Sequence, residues 1–548
     1  MKESRPPSER FTRREWLELA ASVGAAAALP ARLARASAPG ATAESVATRS
    51  GGALLPPPSA WTGRNLKLDQ YWVAPGYPPY EPHPRWLGEL AGDWFSIGRQ
   101  YGERAADLIR WVYEGWYREL LPVQGGPDVM AAYLREQRAY YELLVPEALE
   151  LMHGIADGAA TELGRSPFAR ELDDPDKILM INSYYGLKGK PPTASVTMLD
   201  ATPAVHCCSG AVILGPATRD GKTIHVSSED QHFFPQEYLV TYVVRPSDRR
   251  AHRYTVTDSA GEIGSEHGQN ARGVTVSGYA GGGLGILGPT LSAPFSGYRR
   301  PGLDWQVGVF YATAFADDAR HAVELLTVGR PEYRRRSGRR IVIGKCTRGV
   351  NWLVSDRDRA FVVESIPADQ QGRARYAVRV PGQLGERGGH YVVTTNNVEA
   401  PDSHDEEGKH DPAHPMRQHG HAAQNPAHFG LNLTGTRFWT FMWLIRNHYG
   451  AIDVDVVQAW RRAHFIYDVD GVRHDTVTVD DQSLPVHLLP DAATLCWHSS
   501  GPAGVDTFQG VDTYVSVSVA ADLTSWRTKG RPCEWSGPWD RLSLRELD

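Results

Sequence analysis

Apolar residues recur at three- and four-residue steps through Trp94, Ile97, Tyr101, Ala105, Leu108, Ile109, Val112 and Trp116, which predicts an amphipathic helix opened by Asp93 or Ser96. Gly98 and Gly102 inside it permit close packing. Helical patterns follow over Val129–Leu144, Pro146–Leu163 and Pro175–Leu187, two of them opening with proline near the first helical position. The pattern then changes period. Ser209–Leu214 is small and apolar, Asp220-Gly221 is a turn signal, and Thr223–Ser227 is β-forming, which predicts a hairpin with cysteine at its front edge. Tyr238–Val244 and Gly273–Ser277 read as strands, and Gly278–Gly288 as a glycine loop. Val309–Leu326 is helical with a break at Asp317-Asp318; Asn351–Asp356 and Ala360–Glu364 form a second hairpin; Tyr391–Thr395 is a strand. A helix opens at Thr434-Gly435-Thr436-Arg437 and runs through Phe441, Leu444 and Ile445, before strand-like segments at Thr494–His498 and Thr513–Val519. This alternation leaves α/β and α+β both open.

The N-terminus has the pattern of an address. Thr12-Arg13-Arg14-Glu15-Trp16-Leu17 resembles a twin-arginine export motif, the Ala-rich run Leu19–Leu29 is too short to span a bilayer, and Ala34-Arg35-Ala36 and Ala36-Ser37-Ala38 fit small-residue cleavage sites. Residues 1–38 are therefore expected to be a signal removed on export to the periplasm or medium. Residues 39–85, with Pro56-Pro57-Pro58, read as a linker or lead-in. No later stretch has the apolar length of a membrane span.

Composition narrows the function classes. A chain of 548 residues with 41% hydrophobic and 22% charged residues and a formal net charge of −6 has no basic footprint for nucleic acid. Gly283-Leu284-Gly285-Ile286-Leu287-Gly288 matches a dinucleotide fingerprint in form only, because Pro289 and Pro294 occupy the place of the required helix start. His404, His410, His414, His419, His421 and His428 lie in a polar, Pro-bearing stretch without ligand spacing and read as a solvated loop, with a metal-dependent hydrolase as an alternative. Among the 5 cysteines, Cys496 and Cys533 are candidates for a late bridge.

The adjacent pair, Cys207-Cys208, sits where the chemistry is expected. Cys208-Ser209, the apolar run after it, Asp220-Gly221-Lys222 and Asp230 resemble the isopenicillin N acyltransferase family of cysteine N-terminal-nucleophile (Ntn) hydrolases. Ile97–Gly102 and Gly154–Ala159 match signposts of that family's pro-region, Thr395-Asn396 its Thr-Asn-His, and Thr434 with Arg437 its Ser-x-x-Arg. Cys207 stands where Gly is usual, Ser227-Ser228 replace Arg-Asn, and Asn397 replaces His. The likeness runs from about Gly92 to Val519. It implies an α+β fold, the αββα four-layer sandwich, with a helical pro-region over 86–207 and a catalytic domain over 208–548. It also implies that cutting the bond before Cys208 makes this residue both nucleophile and, through its freed α-amine of pKa about 8, base. Asp230 would hold the ammonium form, Asn396 and a backbone amide would stabilise the oxyanion, Arg437 would neutralise charge or anchor a substrate carboxylate, and Ser227 and Ser228 would contact substrate. No cofactor and no metal is implied. The expected partners are an N-acylated small molecule, an amine or acyl-CoA co-substrate, and the subunits produced by self-cleavage. A catalytically degenerate Ntn fold acting as a binding protein is the competing reading from another class.

Overall fold

The computed structural model describes residues 83–118, 121, 125–183, 207–231, 238–264, 267–281, 301–341, 349–366, 375–396, 399, 433–479, 482–488, 494–496, 511–529, 532–533 and 539–547. The chain separates into Met1–Gly51 and Gly52–Asp548, and every described residue belongs to the second unit. The expected signal segment, the histidine-rich stretch and Gly283–Gly288 lie outside the described residues.

Strand β1 (Arg85–Gly92) leads into helix α1 (Trp94–Val112), where the Asp93 carboxylate accepts from the Ser96 amide at 2.7 Å, the expected N-cap. The pattern expected through Trp116 ends as a π-helical turn over Tyr113–Tyr117. Then come α2 (Pro127–Leu144), α3 (Pro146–Arg165) and α4 (Asp174–Ile181), with proline in the first turn of each. α1 and α3 cross with their backbones in contact. A Cβ on Gly98 would lie 2.1 Å from the Leu151 carbonyl oxygen, and one on Gly154 would lie 2.1 Å from that of Phe95. Gly102 and Gly158 repeat this one turn on, at 2.3 and 2.2 Å from the oxygens of Ile155 and Arg99. No side chain larger than hydrogen fits this crossing.

The strands form two main sheets. The first continues from β1 through β4 (Leu239–Pro246), β5 (Tyr254–Ser259), β6 (His267–Asn270), β7 (Thr275–Gly281), β8 (Gly349–Ser355), β9 (Ala360–Ile366) and β10 (Arg375–Arg379), in that order. The second runs β11 (Tyr391–Thr394), β2 (Cys207–Ile213), β3 (Ile224–Gln231), β16 (Val511–Val519), β17 (Thr524–Lys529), β18 (Asp540–Ser543). Two small hairpins, β12 (Ile466–Tyr467) with β13 (Arg473–His474) and β14 (Thr476–Val479) with β15 (Gln482–Pro485), stand apart from both. Together with the helices this is an α+β protein.

Strand β2 shows how the layers meet. On the first sheet's outer side lie α1 against β1 and β4, α5 (Trp305–Phe315) against β6–β8, and α6 (Ala319–Thr327) against β8 and β9, with the short α7 (Pro331–Ser337) beside α2. On its inner side, the even-numbered β2 residues Cys208 and Val212 join a core with Tyr279 and Leu353, while Trp352 turns outward to α5 and donates from Nε1 to Trp305 O at 3.3 Å. The odd-numbered Ala211 and Ile213 join a second core with Phe438, Phe441 and Ile445 of α8 (Leu433–Asn447). Asp318 caps α6 by accepting from His321 N at 2.8 Å, so the expected Asp317-Asp318 break separates two helices. Tyr101 and Asn182 dock the N-terminal helices on the loop after β5: Gly261 N donates to Tyr101 Oη at 2.9 Å, and Ile263 N to Asn182 Oδ1 at 2.9 Å.

Two expectations need correction. The segment before Cys207 is not purely helical, because β1 pairs in parallel with β4 as the edge of the larger sheet. A register shift between Trp86 and Glu89 breaks the two-residue alternation, and only Leu87 and Leu90 are buried apolar positions, so periodicity hides this strand. Gly278–Gly281 belongs to β7 rather than a loop, with Gly278 closely packed on Trp305 and Val309. The expected β2–β3 hairpin is present; its connection holds a 3-10 turn at Gly215–Ala217 and a bridge from Thr218 to Ile452, and Gly221 takes a positive φ of +75°.

Candidate functional site

The antiparallel β2–β3 ladder sets Cys207 opposite Asp230, Cys208 opposite Glu229 and Ser209 opposite Ser228. Directly opposed residues point to the same side of a sheet. Cys208 and Glu229 thus share the face toward the first sheet, while Ser209, Ser228 and Asp230 share the face toward α8. Cys208, Glu229 and Asp230 are all buried.

Asn396, just past β11, reaches this point from the neighbouring strand. Its Oδ1 accepts from the Cys208 amide at 2.7 Å and from Arg437 Nη2 at 3.0 Å. Two donors converging on one atom fix it as the amide oxygen, so Nδ2 is the donor that faces elsewhere. The position of Asn396 is itself held by the larger sheet: Asn351 Nδ2 donates to Thr395 O at 2.9 Å, and Glu364 Oε2 accepts from Glu399 N at 3.0 Å. Arg379, fully buried, donates through Nε to Glu364 at 3.1 Å and through Nη2 to Val393 O at 2.5 Å. The strand carrying Asn396 is therefore braced on both sides of that residue.

Arg437, on α8, ties the site together. Nη1 donates to Cys208 O at 2.7 Å and to Asp230 Oδ2 at 3.2 Å, with both side chains at most 1% exposed. Burying such a pair has a large desolvation cost, offset only where the remaining donors also find acceptors, and Cys208 O and Asn396 Oδ1 supply two. The second oxygen, Asp230 Oδ1, has no hydrogen-bond partner among the described residues and lies 4.0 Å from Arg461 Nη2. Arg461, at the end of α9 (Val454–Trp460), also donates to Ser209 Oγ at 3.2 Å. One buried carboxylate thus faces two guanidinium groups beneath the Cys208 backbone.

The chain's similarity to known proteins is slight. Matching solved structures include a Caenorhabditis elegans N-acylethanolamine-hydrolyzing acid amidase ortholog, at 15% identity and a TM-score of 0.24 over 35% of this chain and 70% of that one. Another is a mutant of the conjugated bile acid hydrolase from Clostridium perfringens, at 9% identity and a TM-score of 0.31 over 62% of this chain and 93% of that one. Neither likeness, at such scores, fixes the architecture or the chemistry of this chain. No protein-family model and no curated protein matches it.

All four expected catalytic residues converge: Cys208, Asn396 and Asp230 are each hydrogen-bonded to Arg437. Ser227 and Ser228 are buried with protein partners. Tyr279 Oη donates to Ser227 Oγ at 2.9 Å, and Ser228 Oγ lies 3.1 Å from Ser209 Oγ. Burial pushes the Tyr279 phenol above its ordinary range, so it stays a neutral donor. Tyr279 also explains Gly210, where a Cβ would come 2.2 Å from the phenol oxygen.

Sequence reasoning missed Glu229, Tyr279 and Arg461. Register alone reveals Glu229, since Asp230 draws the eye as the strand's acidic end. Arg461 sits in a Trp-Arg-Arg run that carries no motif, and Tyr279 arrives from another sheet.

Proposed function

We propose that this protein is a secreted cysteine Ntn hydrolase acting on the amide bond of N-acylated small molecules, with Cys208 as nucleophile. The observation that carries the reading is the contact of Asn396 Oδ1 with the Cys208 amide at 2.7 Å, on a residue whose carbonyl is bonded to Arg437. A structural cysteine within a strand has no need of a buried amide side chain on its own N–H, since a neighbouring strand would satisfy it. A cysteine whose nitrogen is to become a terminal amine has that need. Two facing sheets with helices on their outer sides support reading the described elements as the αββα sandwich, with residues 86–207 as the pro-region and 208–548 as the catalytic domain.

In this reading Cys208 Sγ first attacks the Cys207 carbonyl carbon. The peptide bond breaks in favour of a thioester, and water hydrolyses it, leaving the Cys207 carboxylate, a free thiol and the α-amine. The amine then takes the thiol proton, and the thiolate attacks the substrate's amide carbonyl. Asn396 Nδ2, turned away from its two donors, stabilises the tetrahedral oxyanion. Asp230 Oδ1, across the ladder from Cys207, receives the ammonium that forms, with Arg437 and Arg461 flanking the same carboxylate. The ammonium returns its proton to the departing amine, and water or a second amine resolves the thioester. Acyl transfer to an amine, or from an acyl-CoA, uses the same steps with a different acceptor or donor.

Purified protein is to be incubated with a panel of N-acyl amides and amino acids, with and without an added amine, and with iodoacetamide as inactivator. Release of amine, lost in step with alkylation of Cys208, is expected. Alkylation confined to other cysteines, with turnover unaffected, contradicts the reading.

A further inference from the structure

A second group of sulfur and nitrogen ligands lies behind the site. The sulfurs of Cys496 and Cys533 and a ring nitrogen of His464 all fall within 4.8 Å of one another, the one such grouping of three among the described residues. The residues come from segments far apart in the chain, and both cysteines are buried. Backbone and side-chain bonds hold those segments together independently of the thiols: Cys496 N donates to Ala463 O at 3.3 Å, and Arg462 Nε donates to Pro532 O at 3.2 Å. The His464 ring is stacked on that of His487, at 4.4 Å between centroids and 15° between planes, which sets its orientation.

We propose that His464, Cys496 and Cys533 form a binding site for a thiophilic d10 divalent cation, Zn2+, which staples three segments next to Arg461. Two thiolates and an imidazole are the ligand types of tetrahedral zinc centres, with bonds of about 2.3 Å to sulfur and about 2.0 Å to nitrogen. Such bonds place the ligand atoms roughly 3.5–3.8 Å apart, so the cluster has to contract by no more than about an ångström. Binding replaces two thiol protons with the cation, releasing both to water, and leaves a centre of zero net charge with one position for water or a fourth side chain. A disulfide between the two cysteines uses the same sulfurs but has no use for the imidazole, and the convergence of His464 is what favours the cation. The consequence for the proposed active site is positional: Arg461, three residues before His464, contacts Ser209 and approaches Asp230.

The test is Co2+ and Zn2+ reconstitution of the full-length chain, purified under reducing conditions and stripped with a chelator. Thiolate-to-cobalt charge-transfer absorption saturating at one Co2+ per chain, displaced by Zn2+ and raising the unfolding temperature, is expected in the wild type and in C208A. H464A and C533S are expected to lose the absorption and at least tenfold in Zn2+ affinity. No charge-transfer band in the reduced wild type overturns the proposal. So does a wild-type chain purified without reductant that contains no zinc and yields a peptide in which Cys496 and Cys533 are disulfide-linked. Metal bound equally well by both variants points to other ligands and overturns it too.

Discussion

The α1–α3 crossing and the Asp230–Arg437–Asn396 cluster are both tightly packed, yet they are held by opposite means. At the crossing, four glycines let two backbones touch, and what fixes the geometry is the absence of side chains between them. At the cluster, a buried ion pair and a side-chain amide converge on one residue's backbone, and what fixes the geometry is the satisfaction of polar groups. The first arrangement tolerates no added atom, and the second tolerates no lost partner. A fold can therefore keep its N-terminal helices as a brace built on close backbone contact while setting a buried ion pair at the strand end that carries Cys208.

The two regions should fail differently. Gly98→Leu sets a branched side chain against the Leu151 carbonyl, where backbone has to move, and is expected to cost more than about 4 kcal/mol and to abolish soluble expression. A milder loss, with a normal urea midpoint, breaks the close-contact account. Arg437→Gln leaves Asp230 buried with its nearest cation removed and is expected to cost roughly 3–5 kcal/mol in urea unfolding. If the chain loses under about 1 kcal/mol, the ion pair is not what holds the strand end. Asn396→Ala sharpens the contrast, since it removes no charge and only a few atoms: it is expected to lower kcat on the order of 100-fold while stability falls by only about 1–2 kcal/mol. Equal effects on kcat and KM with a large stability loss assign Asn396 to structure alone.

A third buried polar group lies between the sheets and carries no charge. His225 bonds Ser355 and Ser277 at 2.9 and 3.0 Å, and His267 bonds Ser277 and Ser518 at 2.9 and 2.6 Å. Burial pushes His225 down to about 3 and His267 well below its ordinary value. The unfolded chain binds protons below about pH 6.5 that the folded chain refuses, so stability is complete above that value and falls as pH drops toward about 3. Urea midpoints measured from pH 7 to pH 4 should decline, and His225→Gln should flatten part of the slope. A slope unchanged in that variant removes the histidines as its source.

Legibility followed the same division. Helices showed because three- and four-residue spacing survives in α1, α3, α5 and α6, and the Asp93 and Asp318 caps are local signals. Strand β1 did not, because its bulge erases the alternation, and β5 and β6 were missed because polar residues such as Thr255, Thr257 and Gln269 are buried there in bonded networks. Cys208, Asp230, Asn396 and Arg437 were readable only as an ordered set of short motifs. Their partners Arg461, Tyr279 and Glu229 reach the site through register and sheet packing, which one-dimensional spacing does not encode.

The central claim is that Cys208 acts from a chain terminus, and the chain's own covalent state tests it most directly. Purified active protein is to be separated under denaturing conditions and sequenced from each amino terminus by Edman degradation, alongside C208A and C207A. The account predicts a fragment beginning at Cys208 in the wild type and in C207A, held to the N-terminal fragment in native gel filtration by β1 and the docked helices, and one uncut, inactive chain in C208A. An intact wild-type chain with full activity, or a new terminus at Cys207 that C208A still produces, contradicts it.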